Sequence, residues 1–160
     1  MLVFDSPEQL RSEPEPRRFL HLVLLIALRD RAERVEFRAA EEGYWVLYQR
    51  IDGRDWELVP PPETVQPVLK QTVREASRLV APERPAVTVS AGLPDARHEP
   101  HEVGWLTYQI GGRLLDLTVR IDPREPWGSI TLDLEYPDEL AGLAADALAE
   151  FFEVDIPGPE

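Results

Sequence analysis

The chain has 160 residues, enough for one domain with a hydrophobic core of its own. Apolar residues make up 43% and charged residues 29%, the proportions of a globular chain and not of a disordered one. Thirty acids against 17 bases give a net charge of −13, which excludes a general nucleic-acid binder and docking on an anionic membrane surface; the absence of cysteine excludes disulfides, thiol nucleophiles and thiolate metal sites.

Residues 1–16 are polar and proline-rich (Ser6-Pro7, Glu13-Pro14-Glu15-Pro16) and read as a flexible arm. Leu20, Val23, Leu24, Ala27 and Leu28 then recur at helical spacing, predicting a helix from Arg17 to Ala32. Leu22, Leu25 and Ile26 widen the stripe, so this helix is covered on most sides. Its apolar run, Phe19 to Leu28, is ten residues long, against the about 20 that a membrane span needs. It also lies too deep in the chain, behind Glu13 and Glu15, for a secretory signal, so the location expected is cytoplasmic. His21 in this run reads as a core or boundary histidine.

Three short antiparallel strands follow. Arg34 to Arg38 alternates, Tyr44 to Ile51 is rich in aromatic and branched residues, and Asp55 to Val59 comes after the tight-turn dipeptide Asp52-Gly53. Pro60-Pro61-Pro62 ends the sheet. Thr64 is placed to cap a helix in which Val65, Val68, Leu69, Thr72, Val73, Ala76, Leu79 and Val80 form one stripe to about residue 81. Val87 to Val89 is a candidate short strand, and residues 92–104 read as a loop. The strongest pattern is a hairpin of Val103 to Ile110 and Leu114 to Ile121 around Gly111-Gly112. Leu115, Leu117, Val119 and Ile121 face one way, and Asp116, Thr118 and Arg120 the other. Ile130, Leu132, Leu134 and Tyr136 repeat that alternation, and a helix runs from Pro137 to about Phe152. The order is α-βββ-α-(β)βββ-α: an α+β domain at residues 17–155, with three helices packed on antiparallel sheet and a tail at 156–160.

Chemistry-bearing motifs are sparse. No glycine-rich loop ends in Gly-Lys-Ser/Thr, and the single lysine, Lys70, falls within a helix. No serine sits in a nucleophile elbow, and with 30 acids any one carboxylate pair is uninformative. His98 and His101 are the weak metal candidates. Pro100 keeps them off one helix face, and a zinc site needs three or four fixed ligands. No catalytic residue, metal or cofactor is expected. The four tryptophans, Trp45, Trp56, Trp105 and Trp127, fall in or beside strands, and Trp45 and Trp105 are candidates to share one sheet face. They read as core packing, with an exposed aromatic platform as the alternative.

From Glu125 to Glu160 there are ten acids and no lysine or arginine. The helix in this stretch reads either as packed, with a solvated acidic face, or as a docking surface for a basic partner. On the docking reading, Glu139, Asp146, Glu150, Phe151 and Phe152 are the partner-binding residues.

Two blocks carry a family resemblance. Arg50-Ile51-Asp52-Gly53 closes the second strand of the meander, and Gly112-Arg113-Leu114-Leu115-Asp116 opens the last hairpin, with Val119, Pro123 and Gly128 beyond it. Together they resemble the second N-terminal domain of the hexameric ATPases of type II secretion and type IV pilus assembly, over roughly residues 19–135. The resemblance implies a PAS-like fold and a regulatory role beside an ATPase. Tyr48, Thr118 and Trp105 stand where that family has arginines, so the implied role is that of a binding or scaffold module and not of a nucleotide sensor. The partner implied is such a secretion or pilus ATPase, or another basic protein surface. The competing reading is an acidic chaperone-like protein, which would form a homodimer and hold a client strand on its sheet edge. A third is a small-ligand sensor enclosing a pocket.

Overall fold

The computed structural model describes residues 1–40, 44–80, 101–124, 128–135 and 139–155, with the backbone alone at Glu139 and 151–155. The candidate strand at 87–89, most of the expected loop at 92–104, Trp127, Tyr136 and the tail lie outside the described residues. The architecture is α+β, an open eight-stranded sheet with four helices. The elements are β1 (Leu2–Phe4), α1 (Pro7–Ser12), α2 (Glu15–Arg29), β2 (Arg34–Ala39), β3 (Trp45–Ile51), β4 (Arg54–Leu58), α3 (Leu69–Ala76), β5 (Arg78–Val80), β6 (Glu102–Ile110), β7 (Arg113–Ile121), β8 (Ser129–Asp133) and α4 (Glu139–Asp155).

The strand order is β1-β6-β7-β8-β2-β3-β4, and β5 pairs with β6 beside β1. Alternation decides which face is covered. Leu106, Tyr108 and Ile110 of β6, Leu115, Leu117, Val119 and Ile121 of β7, and Val35 and Phe37 of β2 are all buried. Against them pack Leu20, Val23, Leu24, Ala27 and Leu28 of α2 and Leu140, Ala144 and Leu148 of α4. The residues between them on each strand point to the other face, which no described helix covers.

The flexible arm expected at residues 1–16 is corrected. Leu2–Phe4 form a strand parallel to Tyr108–Ile110 of β6, and Leu2 and Leu10 are fully buried. Ser6 caps α1 by accepting from the Gln9 N–H at 3.1 Å, and Pro7 supplies the first helical turn. Pro14 stands at the N-cap of α2 and Pro16 in its first turn.

The helix expected from Thr64 to 81 is also shorter. Thr64 donates to Glu15 and caps nothing, Gln66–Val68 is a single 3-10 turn, and α3 ends at Ser77, whose hydroxyl donates to the Val73 carbonyl. Arg78–Val80 then turns into β5, antiparallel to Val103–Trp105. Helix periodicity alone cannot see this, because the competing hydrogen bonds come from a strand more than 20 residues away.

Gly104 permits that strand. A Cβ there would collide with the backbone of Arg78 and Leu79. Gly142 has the opposite surroundings, an exposed helical position where a Cβ meets nothing within 4 Å. Gly104→Ala is therefore expected to lower the urea-unfolding free energy by about 2 kcal/mol or more, while Gly142→Ala raises it by roughly 0.5–1 kcal/mol. Equal effects at the two positions would contradict the close approach of β5 to β6.

Candidate functional site

The uncovered face can be followed strand by strand through the register. Arg78 lies opposite Trp105, then come Thr118, Asp133, Arg34, Arg50 and Asp55 in one row across the sheet. The next row runs Val80, Val103, Arg120, Thr131, Glu36, Tyr48 and Glu57. On the β2–β4 half the charges neutralise one another. Arg34 pairs with Asp133 at 2.7 Å, Arg50 with Asp55 at 3.0 Å and Arg38 with Glu36 at 2.7 Å. Arg38 also stacks over the Tyr48 ring at 4.6 Å.

The β5–β7 end is different. Trp105 is 48% exposed there, beside the exposed Val80. Arg78, Trp105, Thr107 and Asp116 line a shallow cavity of about 150 Å³, with the Thr107 hydroxyl donating to Asp116 at 2.6 Å. Trp45 does not share this face. Following the register from Trp105 leads to Arg50, and Trp45 is five residues from Arg50, hence on the opposite, helix-bearing side. It is buried under Lys70, whose ammonium sits 5.7 Å from the ring centroid. Core packing therefore describes Trp45, and an exposed platform describes Trp105.

The acidic helix lies on the covered side. α4 buries Leu140, Ala141, Ala144, Ala147 and Leu148 and exposes Asp146 and Glu150, one turn apart. The side chains of Glu139, Phe151 and Phe152 lie outside the described residues, so only Asp146 and Glu150 of the expected partner surface are placed.

One titratable pair, His21 and Tyr108, is internal. His21 is fully buried, as a core histidine should be, with Nδ1 3.1 Å from the Tyr108 hydroxyl and Nε2 4.0 Å from Glu13. Burial pushes its pKa down to about 4; Glu13 opposes the fall and Arg17 adds to it. Burial also pushes the Tyr108 hydroxyl well above its ordinary range.

His98 lies outside the described residues, and His101 faces Asp122 at 3.7 Å. Burial alone would raise the Asp122 carboxyl, but the Arg124 guanidinium and backbone N–H hold it below its usual value. That carboxylate is already engaged by Arg124 at 2.6 Å. Among the described residues no three His, Asp or Glu side chains converge as a metal site. Lys70 ties α3 to the β7–β8 connection. Its ammonium donates to the Arg124 carbonyl at 2.7 Å, so tightly that a Cβ on Gly128 would come within 2.9 Å of it. Neither the buried state of Lys70 nor the exposure of Trp105 has a local sequence signal; both depend on which sheet face the helices cover.

No described helix is long and apolar enough to cross a membrane. No family model matches the chain, and no curated protein matches its sequence.

Neutral His21 makes the fold acid-sensitive. Below the ordinary 6.5 the unfolded chain binds a proton at this ring that the folded chain refuses until about pH 4, so stability falls as pH drops through that window. The share from this one group reaches about 3 kcal/mol. His21→Asn, which keeps a hydrogen-bonding group for Tyr108, removes that share. The wild-type minus variant difference in urea-unfolding free energy should therefore shrink steadily between pH 6.5 and 4, and a pH-independent difference would contradict the assignment.

Proposed function

We propose that this chain is a non-catalytic protein-binding domain that docks on a basic partner through its acidic C-terminal stretch, with α4 as the ordered base of the contact. The observation that carries the reading is how charge is distributed. The first 124 residues hold 20 acids against 17 bases, and the last 36 hold ten acids against none. Within that stretch, Asp146 and Glu150 stand exposed on neighbouring turns of a helix whose other face is buried. Such a one-signed field accelerates encounter with a basic surface and selects against acidic ones. The resemblance to the PAS-like domain of secretion and pilus ATPases supplies the kind of partner, an ATPase of that class or a protein with a comparable basic face.

A specific feature favours the chaperone-like reading as the alternative. Among the described residues β4 pairs with β3 on one side only. The two-residue turn Asp52-Gly53, with φ of 50° and 77°, sets the hairpin register so that the backbone groups of Asp55 and Glu57 point away from β3. An extended client could pair there. A second copy of this strand is disfavoured. Antiparallel self-pairing centred on Trp56 sets Asp55 against Glu57, and centring on Asp55, Glu57 or Arg54 sets that residue against itself.

The test is affinity capture on the full-length chain from native cells, read by mass spectrometry, with wild type and Asp146→Arg/Glu150→Arg side by side. The docking reading predicts one folded partner, lost at high salt and depleted at least about tenfold in the variant. Many unfolded clients, retained by the variant, would replace it with the chaperone reading. A folded partner indifferent to both salt and the double substitution would overturn it.

A further inference from the structure

We infer that the open face of the sheet carries a second binding surface, centred on Trp105 between Arg78 and Arg120, that takes an acidic extended segment of another protein. It goes beyond the acidic docking surface and is independent of it: α4 lies on the covered side of the sheet and Trp105 on the other.

Three observations meet at this place. The first is the state of the arginines. Among the described residues, three arginines, Arg54, Arg78 and Arg120, make no side-chain hydrogen bond or ion pair. In a chain of net charge −13 an unpaired cation is unusual, since carboxylates outnumber bases by 30 to 17. Arg54 stands on β4, at the far end of the sheet. The other two converge. Arg78 is directly opposite Trp105, and Arg120 is opposite Val103, a diagonal neighbour of Trp105 at roughly 7–8 Å between backbones.

The second observation is Trp105 itself. It is 48% exposed on an inner strand, with β5 on one side and β7 on the other. With the exposed Val80 one row away it makes an apolar centre flanked by cations. Tryptophan and arginine are the residues that most often dominate protein interfaces, and they do so from this arrangement of apolar centre and charged rim. The third is shape. The cavity of about 150 Å³ beside Trp105 is enough for one side chain and not for an enclosed cofactor.

Charge complementarity selects the occupant. A guanidinium with no partner binds a carboxylate through two parallel hydrogen bonds. Two such groups, on strands two apart, match carboxylates spaced along an extended chain lying across the sheet. An apolar residue between them covers Trp105. Asp116, held by Thr107, closes the far side of the cavity and repels an acid there, which fixes the direction from which the segment enters. Gly104 belongs to the same device. It lets β5 approach β6 closely enough for Arg78 to stand beside Trp105.

The test uses the full chain, nitrogen-15 labelled, titrated with an acetylated nine-residue peptide of alternating glutamate and valine. A lysine–valine peptide of the same length is the charge control. Saturable shifts of the Trp105 indole N–H and the Arg78 and Arg120 Nε–H signals are expected with the glutamate peptide alone. Arg78→Glu/Arg120→Glu should weaken binding at least about tenfold. Trp105→Ala should weaken it too, with the signals of the buried core unmoved. Arg54→Glu, at the third unpaired arginine, changes the net charge by the same amount per site and should leave affinity within about twofold. A titration that does not saturate, shifts confined to other residues, or an equal loss in Arg54→Glu would overturn the inference. Loss of α4 docking in Asp146→Arg/Glu150→Arg with this binding intact would show that the two surfaces stand or fall separately.

Discussion

Strand β6 is the member on which the rest of the structure depends, because three other strands take their hydrogen bonds from it. β7 pairs along its whole length, from Glu102 opposite Ile121 to Ile110 opposite Arg113. Its other edge is divided between β5, antiparallel at residues 103–105, and β1, parallel at residues 108–110. The division works because each guest strand is only three residues long. It brings the N-terminal segment, the end of α3 and the last hairpin onto one strand. The tightest point is Gly104, where the backbone of β5 occupies the space a side chain would need.

One-sided burial follows from the same strand. Leu106, Tyr108 and Ile110 face the helices, so Trp105, Thr107 and Gln109 face away from them. The β6–β7 turn is packed by α4, with Leu143 3.2 Å from where a Gly111 side chain would begin. His21 from α2 reaches Tyr108 on the covered face. On the open face stand hydroxyls, ion pairs and the exposed apolar side chains of Val80, Trp105 and Leu114. Among the described residues the ion pairs of this face lie on its β8–β4 half, Arg78 and Arg120 make none at the β5–β7 end, and the surplus acid of the chain is concentrated in the C-terminal stretch. The two proposed surfaces differ in sign and lie on opposite sides of the sheet.

Much of the fold was legible in the sequence, for definite reasons. The β2–β4 meander and the β6–β7 hairpin repeat every two residues over runs long enough to exclude a helix, and the turn residues Asp52-Gly53 and Gly111-Gly112 all adopt the positive φ that such turns demand. α2 is broad and apolar and needs no partner to be recognised. What was missed is short and non-local. β1 has three residues whose partners are 106 positions away, and the proline-rich composition of residues 1–16 concealed a capped six-residue helix. β5 was absorbed into the stripe of α3 because Leu79 and Val80 keep helical spacing.

The candidate site was less legible than the fold. Alternation shows that Trp105 and Thr107 share a face, but not which face the helices cover. Nor can it relate Trp45 to Trp105, since their parity is fixed by the β7–β8, β8–β2 and β2–β3 registers in turn. That Arg78 and Arg120 make no ion pair among the described residues emerges only from the placed side chains. The acidic C-terminal stretch, by contrast, is a property of composition and was visible at once.

The central claim is that the sheet has one covered and one open face. Hydroxyl-radical footprinting of the folded full chain, read by mass spectrometry at each tryptophan, tests it most directly. The account predicts rapid oxidation of Trp105, at a rate close to that of Trp56 on the edge strand, and strong protection of Trp45. Protection of Trp105 equal to that of Trp45 would contradict it.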